Sequence, residues 1–515
     1  MLISKGIAAL VTAAATAAAV VAPTGAVAAK RARAGGRMGG TLTLGLVTGI
    51  SSWAADDANW GNQSPFEQAV YDTLLHASVS GAIEPWLATA WSYNSSRTVL
   101  TMQLRQNVKF TDGTPFTAKV AAENLIRFKN GDSDNASELE QVKKVTALGK
   151  YKLRITLTQP NGALLVYLTQ NAGVMGSPKA FSGPKADTVP VGSGPYIYDP
   201  AASVPGSTWT FTRNPRYWAP SSVHYNKLVL KVFGSQQAMM DAIEGHQVNA
   251  AVTTLDGSYI NQIKSAGFRP QYFSANWYGL ILFDRGGQLT PALGNVKVRQ
   301  AINYALNRPA LLKALQYGLG QVTDEVFYPT SPAYVKSMET YYTYNVAKAK
   351  QLMAQAGYVK GFTVQFPISS LESPSLGPLM QEELGAIGIK LELVNVSPSD
   401  YITALLGKKY SMPIMELQED PTPWQLISFM IARNASWNPF HYGTAESDKL
   451  VHEVQYGNPA QANQAARALN RYVIEQAWFA PFSRPYGVAA VDAQTVAPEQ
   501  SDNCWPYLWE IMPKA

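Results

Sequence analysis

Residues Leu104–Ala118 read LRQNVKFTDGTPFTA. From Thr101 to Phe110 polar and apolar side chains alternate, with Met102, Leu104, Val108 and Phe110 on the apolar positions, the period of a half-buried strand. Asp112 and Gly113 supply a turn, because Asp bonds the backbone ahead of it and Gly accepts positive φ. Thr114 and Pro115 stop the strand, and Thr117 is placed to cap a helix that begins at Ala118. The joint is strand, tight turn and helix, and none of its residues forms a catalytic arrangement.

Upstream, residues 1–29 have the make-up of an export signal: Lys5, an apolar run from Ile7 to Ala22, and the small residues Gly25 to Ala29, with cleavage after Ala28 or Ala29. No cysteine lies near that site to carry a lipid anchor. The mature chain is therefore expected to be exported, periplasmic or at the cell surface. The single cysteine, Cys504, excludes an internal disulfide. A chain of 515 residues can bury large cores without one, in two or three domains.

The net charge of +6 misleads about partners. Lys5, Lys30, Arg31, Arg33 and Arg37 all precede residue 40, whereas every Asp and Glu lies beyond residue 50. The body is close to neutral, which argues against nucleic-acid binding, and residues 30–40 form a basic, Gly-rich leader.

From Thr41 to Val47 the alternation of a strand begins, and strands and helices then follow one another to the C-terminus. Asn345 can cap a helix over 346–356 that Gly357 ends, a second helix is expected over about 295–317, and a third over 376–387 leads into the strand Ile389 to Val394. The expectation is an α/β protein with α+β elements and sheets in more than one lobe.

Several segments carry a resemblance. Residues 104–118 resemble the LR-x-x-V-x-F-x-D-G-x-P-x-T-A signature of the family 5 extracellular solute-binding proteins, the peptide- and nickel-type receptors of ABC importers. YDTLL (71–75), EPWLATAW (84–91), PVGSGPY (190–196), RNPRYW (213–218), VRQAINYA (298–305) and the run from Ala347 to Tyr358 resemble further elements of that family, in the same order. The resemblance implies a bilobed, periplasmic-binding-protein-like receptor with an additional domain on the first lobe. Lobe I would take 41–72, 186–280 and 482–515, the extra domain 73–185, and lobe II 281–481. It also implies a monomer that closes on a small-molecule or peptide ligand and presents it to membrane permease subunits, without a cofactor. Gly192 and Gly194 permit a tight backbone path; lacking Gly-Lys-Ser/Thr, they do not make a phosphate loop.

In the peptide-binding members an aspartate of a D-Y-x-D-P-like segment receives the peptide α-amino group. Aligned on Asp420 and Pro421, that position here is Leu417, which cannot compensate a buried ammonium. Glu416 or Glu419 could substitute, although on a strand Glu416 faces away from Leu417. Oligopeptide is the first expectation and oligosaccharide the alternative. Twelve tryptophans offer stacking surfaces, and Trp53, Trp60, Trp277, Trp424 and Trp437 fall in segments expected near the cleft. The ligand-binding candidates are Trp53, Trp277, Met415, Glu416, Leu417, Trp424 and Trp437, with Trp424 foremost.

The five histidines lie far apart without ligand spacing, so no metal site is expected. G-x-S-x-G and H-E-x-x-H signatures are absent, as is S-x-x-K with its companion motifs, and a secreted hydrolase is the disfavoured alternative.

Overall fold

The computed structural model describes residues 38–514 except 132, 134, 183–184, 253–258, 275, 370–371, 398–399, 419–421 and 499–506, and the side chain of residue 62 is likewise not described. The export signal, the basic residues 30–37, the 419–421 element with Glu419 and Asp420, and Cys504 fall outside the described residues.

The strand Val99–Leu104 pairs with Ala88–Tyr93 and Lys152–Leu157, and Val142–Ala147 completes a four-stranded antiparallel sheet. It ends at Leu104, short of the alternation that runs on to Phe110, because Asn107 takes a left-handed φ of 63° and bends the chain. Val108 and Phe110 are buried nonetheless. Asp112 Oδ1 accepts from Thr114 N at 2.8 Å, and Gly113 has φ 87°. Thr117 accepts from Val120 N and starts the helix Ala118–Asn130, whose Val120, Ala121, Leu125 and Phe128 cover the sheet residues Leu100, Met102, Leu153 and Ile155. Burial of side chains of this size contributes about 1.5–3 kcal/mol each, enough to give this small-sheet body a core of its own.

A second body, the first lobe, holds a seven-stranded sheet in the order Tyr196–Tyr198, Thr208–Arg213, Tyr225–Val232, Gly39–Leu46, Ala250–Val252, Gly487–Val491, Arg269–Phe273. Gly39–Leu46 runs parallel to both neighbours. A third body, the second lobe, contains the antiparallel sheet Gly320–Val322, Phe479–Pro485, Asn276–Ile281, Ile414–Gln418 and the parallel pair Phe362–Ile368 with Ile389–Asn395. Two paired ladders carry the chain between the lobes. Arg269–Phe273 pairs with Gly487–Val491 on one side of the crossing, and Asn276–Ile281 pairs with Phe479–Pro485 on the other. The expected lobe limits at 280/281 and 481/482 thus fall inside strands of the second lobe.

The sequence motifs meet at Asp72. Its carboxylate, buried in the first lobe, accepts from Trp86 Nε1, Tyr217 Oη, Trp218 Nε1 and Ser193 Oγ at 2.7–2.9 Å. Gly192 is required beside it, since a Cβ there would lie 1.8 Å from the Val70 carbonyl oxygen. Gly194 N donates to that same carbonyl, and Asn214 Nδ2 donates to Gly194 O, which locks PVGSGPY onto RNPRYW.

The expected helix over 346–356 forms as Val346–Gln355, with Asn345 accepting from Lys348 N and Gly357 at φ 85°. The long helix expected over 295–317 is instead two, Val296–Ala305 and Arg308–Gln316. Leu306 turns extended, Asn307 caps the second helix and Pro309 sits in its first turn, where a missing N–H costs nothing. The break lets Arg308 reach inward to Asp324 at 2.6 Å and to the carbonyls of Pro481 and Asn303. Burial pushes the Asp324 carboxyl up to about 6 even with Arg308 beside it.

Candidate functional site

The small 3₁₀ turns Ala136–Leu139 and Asn171–Gly173 and the start of the helix Trp60–Val70 form one wall of a cavity of about 610 Å³. The opposite wall is the second lobe, from Gln418 at the end of a strand to Gln455 near the end of the helix Ala445–Tyr456. All three bodies therefore line one cavity.

The helix Pro423–Leu426 passes directly into a π-type turn, Ile427–Ile431. The widened turn rotates Ser428 and Phe429 onto the cavity, while Ile427, Met430 and Ile431 stay in the core. Trp424, 7 % exposed, lies on the cavity wall and packs against the backbone of Gly162 from the small-sheet body. Trp60 and Tyr167 line the other side. Trp60 N donates to Asn171 Oδ1 at 2.5 Å, and Asn171 Nδ2 donates to Glu138 Oε1 at 2.9 Å, so the wall is a bonded network. Asn161 Nδ2 donates to Gln141 Oε1 at 3.0 Å in the same wall.

The lining has a distinct chemistry. Eleven carboxamides, among them Asn59, Gln141, Asn161, Gln170, Gln418 and Gln425, accompany four aromatic rings, Trp60, Tyr167, Trp424 and Phe429. Glu138 and Glu140 are the only charged side chains among the described lining residues, and no Lys, Arg or His is one of them. Among the described residues no group of three or more His, Cys, Asp or Glu is placed to hold a metal ion.

Of the seven candidates named from sequence, Trp424 lines this cavity. Trp53 is buried against Phe66, Tyr198 and Phe211 and borders a separate hollow of about 360 Å³ between the first lobe and the small-sheet body, with Asp56, Arg127 and Asp187. Trp277 is fully buried, stands opposite Leu417 across the strand pair, and packs edge-on to Phe479. Leu417 and the half-buried Met415 share that core with it. Glu416 points to the opposite face, where it accepts from Asn276 Nδ2 at 2.6 Å. Burial, with Glu372 nearby, pushes its carboxyl up to about 7. Trp437 is buried between Phe283 and Phe429. Trp60, expected near the cleft, is among the residues that line this cavity. The carboxamides carried no signal in sequence, since scattered Asn and Gln read as ordinary surface residues.

Glu67 ties this wall to the first-lobe core. Its Oε1 accepts from Asn59 N at 2.7 Å, fixing the chain just before Trp60. Burial pushes its carboxyl up to about 7. The unfolded chain ionises first as pH rises, so this group's contribution to stability falls between about pH 4.5 and 7, by up to about 1.4 kcal/mol per pH unit. Glu67→Gln keeps the acceptor and removes the proton. Urea unfolding of this variant is expected to show a flatter pH dependence than the parent between pH 5 and 7. Parallel profiles would refute the assignment.

Residues 82–438 match the model of the bacterial extracellular solute-binding proteins, family 5, middle region. The chain belongs to this family. It is 25% identical over 462 residues to the glutathione-binding protein GsiB of Escherichia coli (strain K12), covering 82% of this chain and 85% of that one. Its fold is similar to the periplasmic binding protein DppA from Helicobacter pylori in complex with the peptide STSA (TM-score 0.76, 21% identity, 93% of this chain and 99% of that one). It is similar also to NikA from Brucella suis in complex with Fe(III)-EDTA (TM-score 0.78, 20% identity, 92% and 100%). The family 5 chain is thus a bilobed solute-binding protein of ABC importers and not an enzyme.

Proposed function

We propose that this family 5 protein encloses an uncharged, hydroxyl-rich oligomer in the cavity between its lobes, an oligosaccharide in preference to an oligopeptide, and delivers it to the permease of an ABC importer. The observation that carries the reading is the lining: carboxamides that both donate and accept, four aromatic rings to stack on apolar sugar faces, and no cationic side chain among the described residues. Its volume lies within the ~300–1,000 Å³ typical of small-ligand sites. A peptide with free ends would bring a carboxylate into a wall with no cationic partner among its described residues, at a desolvation cost of several kcal/mol. Glu138 and Glu140 favour the second reading, a peptide whose α-amino group they would receive. On either reading residues 1–29 direct export and a single chain acts as the receptor.

Calorimetric titration of the mature protein separates the two. Micromolar or tighter binding is expected for at least one neutral oligosaccharide in a panel of β-glucan, α-glucan, xylan and chitin fragments, with no heat from tri- to pentapeptides. Tight peptide binding that N-acetylation abolishes would establish the second reading instead.

A further inference from the structure

The small-sheet body meets the second lobe at Gly162 and Ala163, which pack near Trp424, and at the end of the helix Ala445–Tyr456, where Arg97 makes a contact. Arg97 sits in the hairpin turn between Ala88–Tyr93 and Val99–Leu104, closed by Asn94, whose Oδ1 accepts from Thr98 N and Val99 N. It has φ 55°, a conformation that glycine adopts freely and that crowds the Cβ of an L side chain. From that position Nη2 reaches the carbonyl oxygen of Gln455 at 2.5 Å. This carbonyl is among the last four of its helix, which have no partner within the helix and carry the negative end of its dipole, so a cation suits it. Gln455 Nε2 in turn donates to Pro160 O at 3.1 Å, and Tyr456 Oη donates to Gln159 Oε1 at 3.2 Å. Gln159 and Gln455 are also cavity-lining residues.

We infer that Arg97 is a positioning residue for ligand capture: the small-sheet body acts as a third jaw, its Arg97 turn and its 159–162 loop clasping the end of helix Ala445–Tyr456 and holding Gln455 against the enclosed ligand. The left-handed arginine fits the same account, because the turn would be more comfortable with glycine and would then lose the contact. The role of Gln455 toward ligand rests on the cavity reading; the clasp between the bodies does not.

The test uses the ligand-free mature chain in a Cys504→Ser background, with spin labels at Lys119→Cys and Lys449→Cys, both exposed and on opposite sides of the contact. Arg97→Gly is expected to raise the ratio of long to short inter-label distances about fivefold, the loss of roughly one charge-assisted hydrogen bond. Thermal stability should stay level or rise, since the turn is relaxed. Tyr456→Phe, which leaves the turn untouched, is expected to shift the distances in the same direction by less. Unchanged distances in both variants overturn the inference, and so does a fall in stability without any change in distance. Should Trp424→Ala leave solute affinity intact while Arg97→Gly still lengthens the distances, the cavity reading fails and the clasp stands.

Discussion

Replacing Asp72 by alanine is expected to cost more than about 4 kcal/mol and to leave little folded protein at 37 °C. Four donors converge on this one carboxylate: Trp86 Nε1, Ser193 Oγ, Tyr217 Oη and Trp218 Nε1. Alanine would strand them with no acceptor, and each buried group left unsatisfied costs about 1–3 kcal/mol. Burial pushes the carboxyl up, and the four bonds oppose that shift. Arg105 stacks on Trp218 at 4.2 Å, and the Asp72 carboxylate favours its charged form against burial. Asp72→Asn should be milder than alanine but still harmful, since its amide nitrogen is a donor placed among donors. Urea unfolding followed by tryptophan fluorescence reads both. A loss below about 1 kcal/mol in Asp72→Ala would show that water replaces the carboxylate and that the hub is not what unites these segments.

This hub explains why the motifs were readable. YDTLL, EPWLATAW, PVGSGPY and RNPRYW lie far apart in the chain, but Asp72, Trp86, Ser193 and Tyr217 must meet with matched donors and acceptors, so each segment tolerates few residue types. The caps at Thr117 and Asn345 were legible for a local version of the same reason, a side-chain oxygen serving a backbone N–H three residues on. The break at Leu306 was less so, because the apolar stripe continues through it and only Asn307 and Pro309 mark the new start. The cavity was hardest to read. Trp277 and Leu417 look like wall residues in an alternating strand, yet both faces of that sheet are covered by cores, and a period of two cannot tell a second core from a cleft. The carboxamides come from eleven places whose convergence is purely tertiary.

Trp424→Ala is expected to weaken binding of the solute selected by calorimetry ten- to a hundredfold, the loss typical of an aromatic anchor at the centre of a contact. Core packing alone would predict something else. Trp424 belongs to the second-lobe core with Leu426 and Trp478, so its truncation also lowers stability, and affinity alone would not separate the roles. Two companion variants do so. Trp60→Ala removes a ring from the facing wall, on another body, and should weaken binding to a similar extent. Trp478→Ala empties the same second-lobe core at a residue whose ring partners, Tyr442 and Tyr472, are not in the cavity lining, and should lower the unfolding midpoint while leaving affinity within twofold. Losses in Trp424→Ala and Trp60→Ala with affinity retained in Trp478→Ala would put the solute between the two rings. Equal loss of affinity in Trp424→Ala and Trp478→Ala, with none in Trp60→Ala, would mean that Trp424 shapes the second lobe and that the solute sits elsewhere.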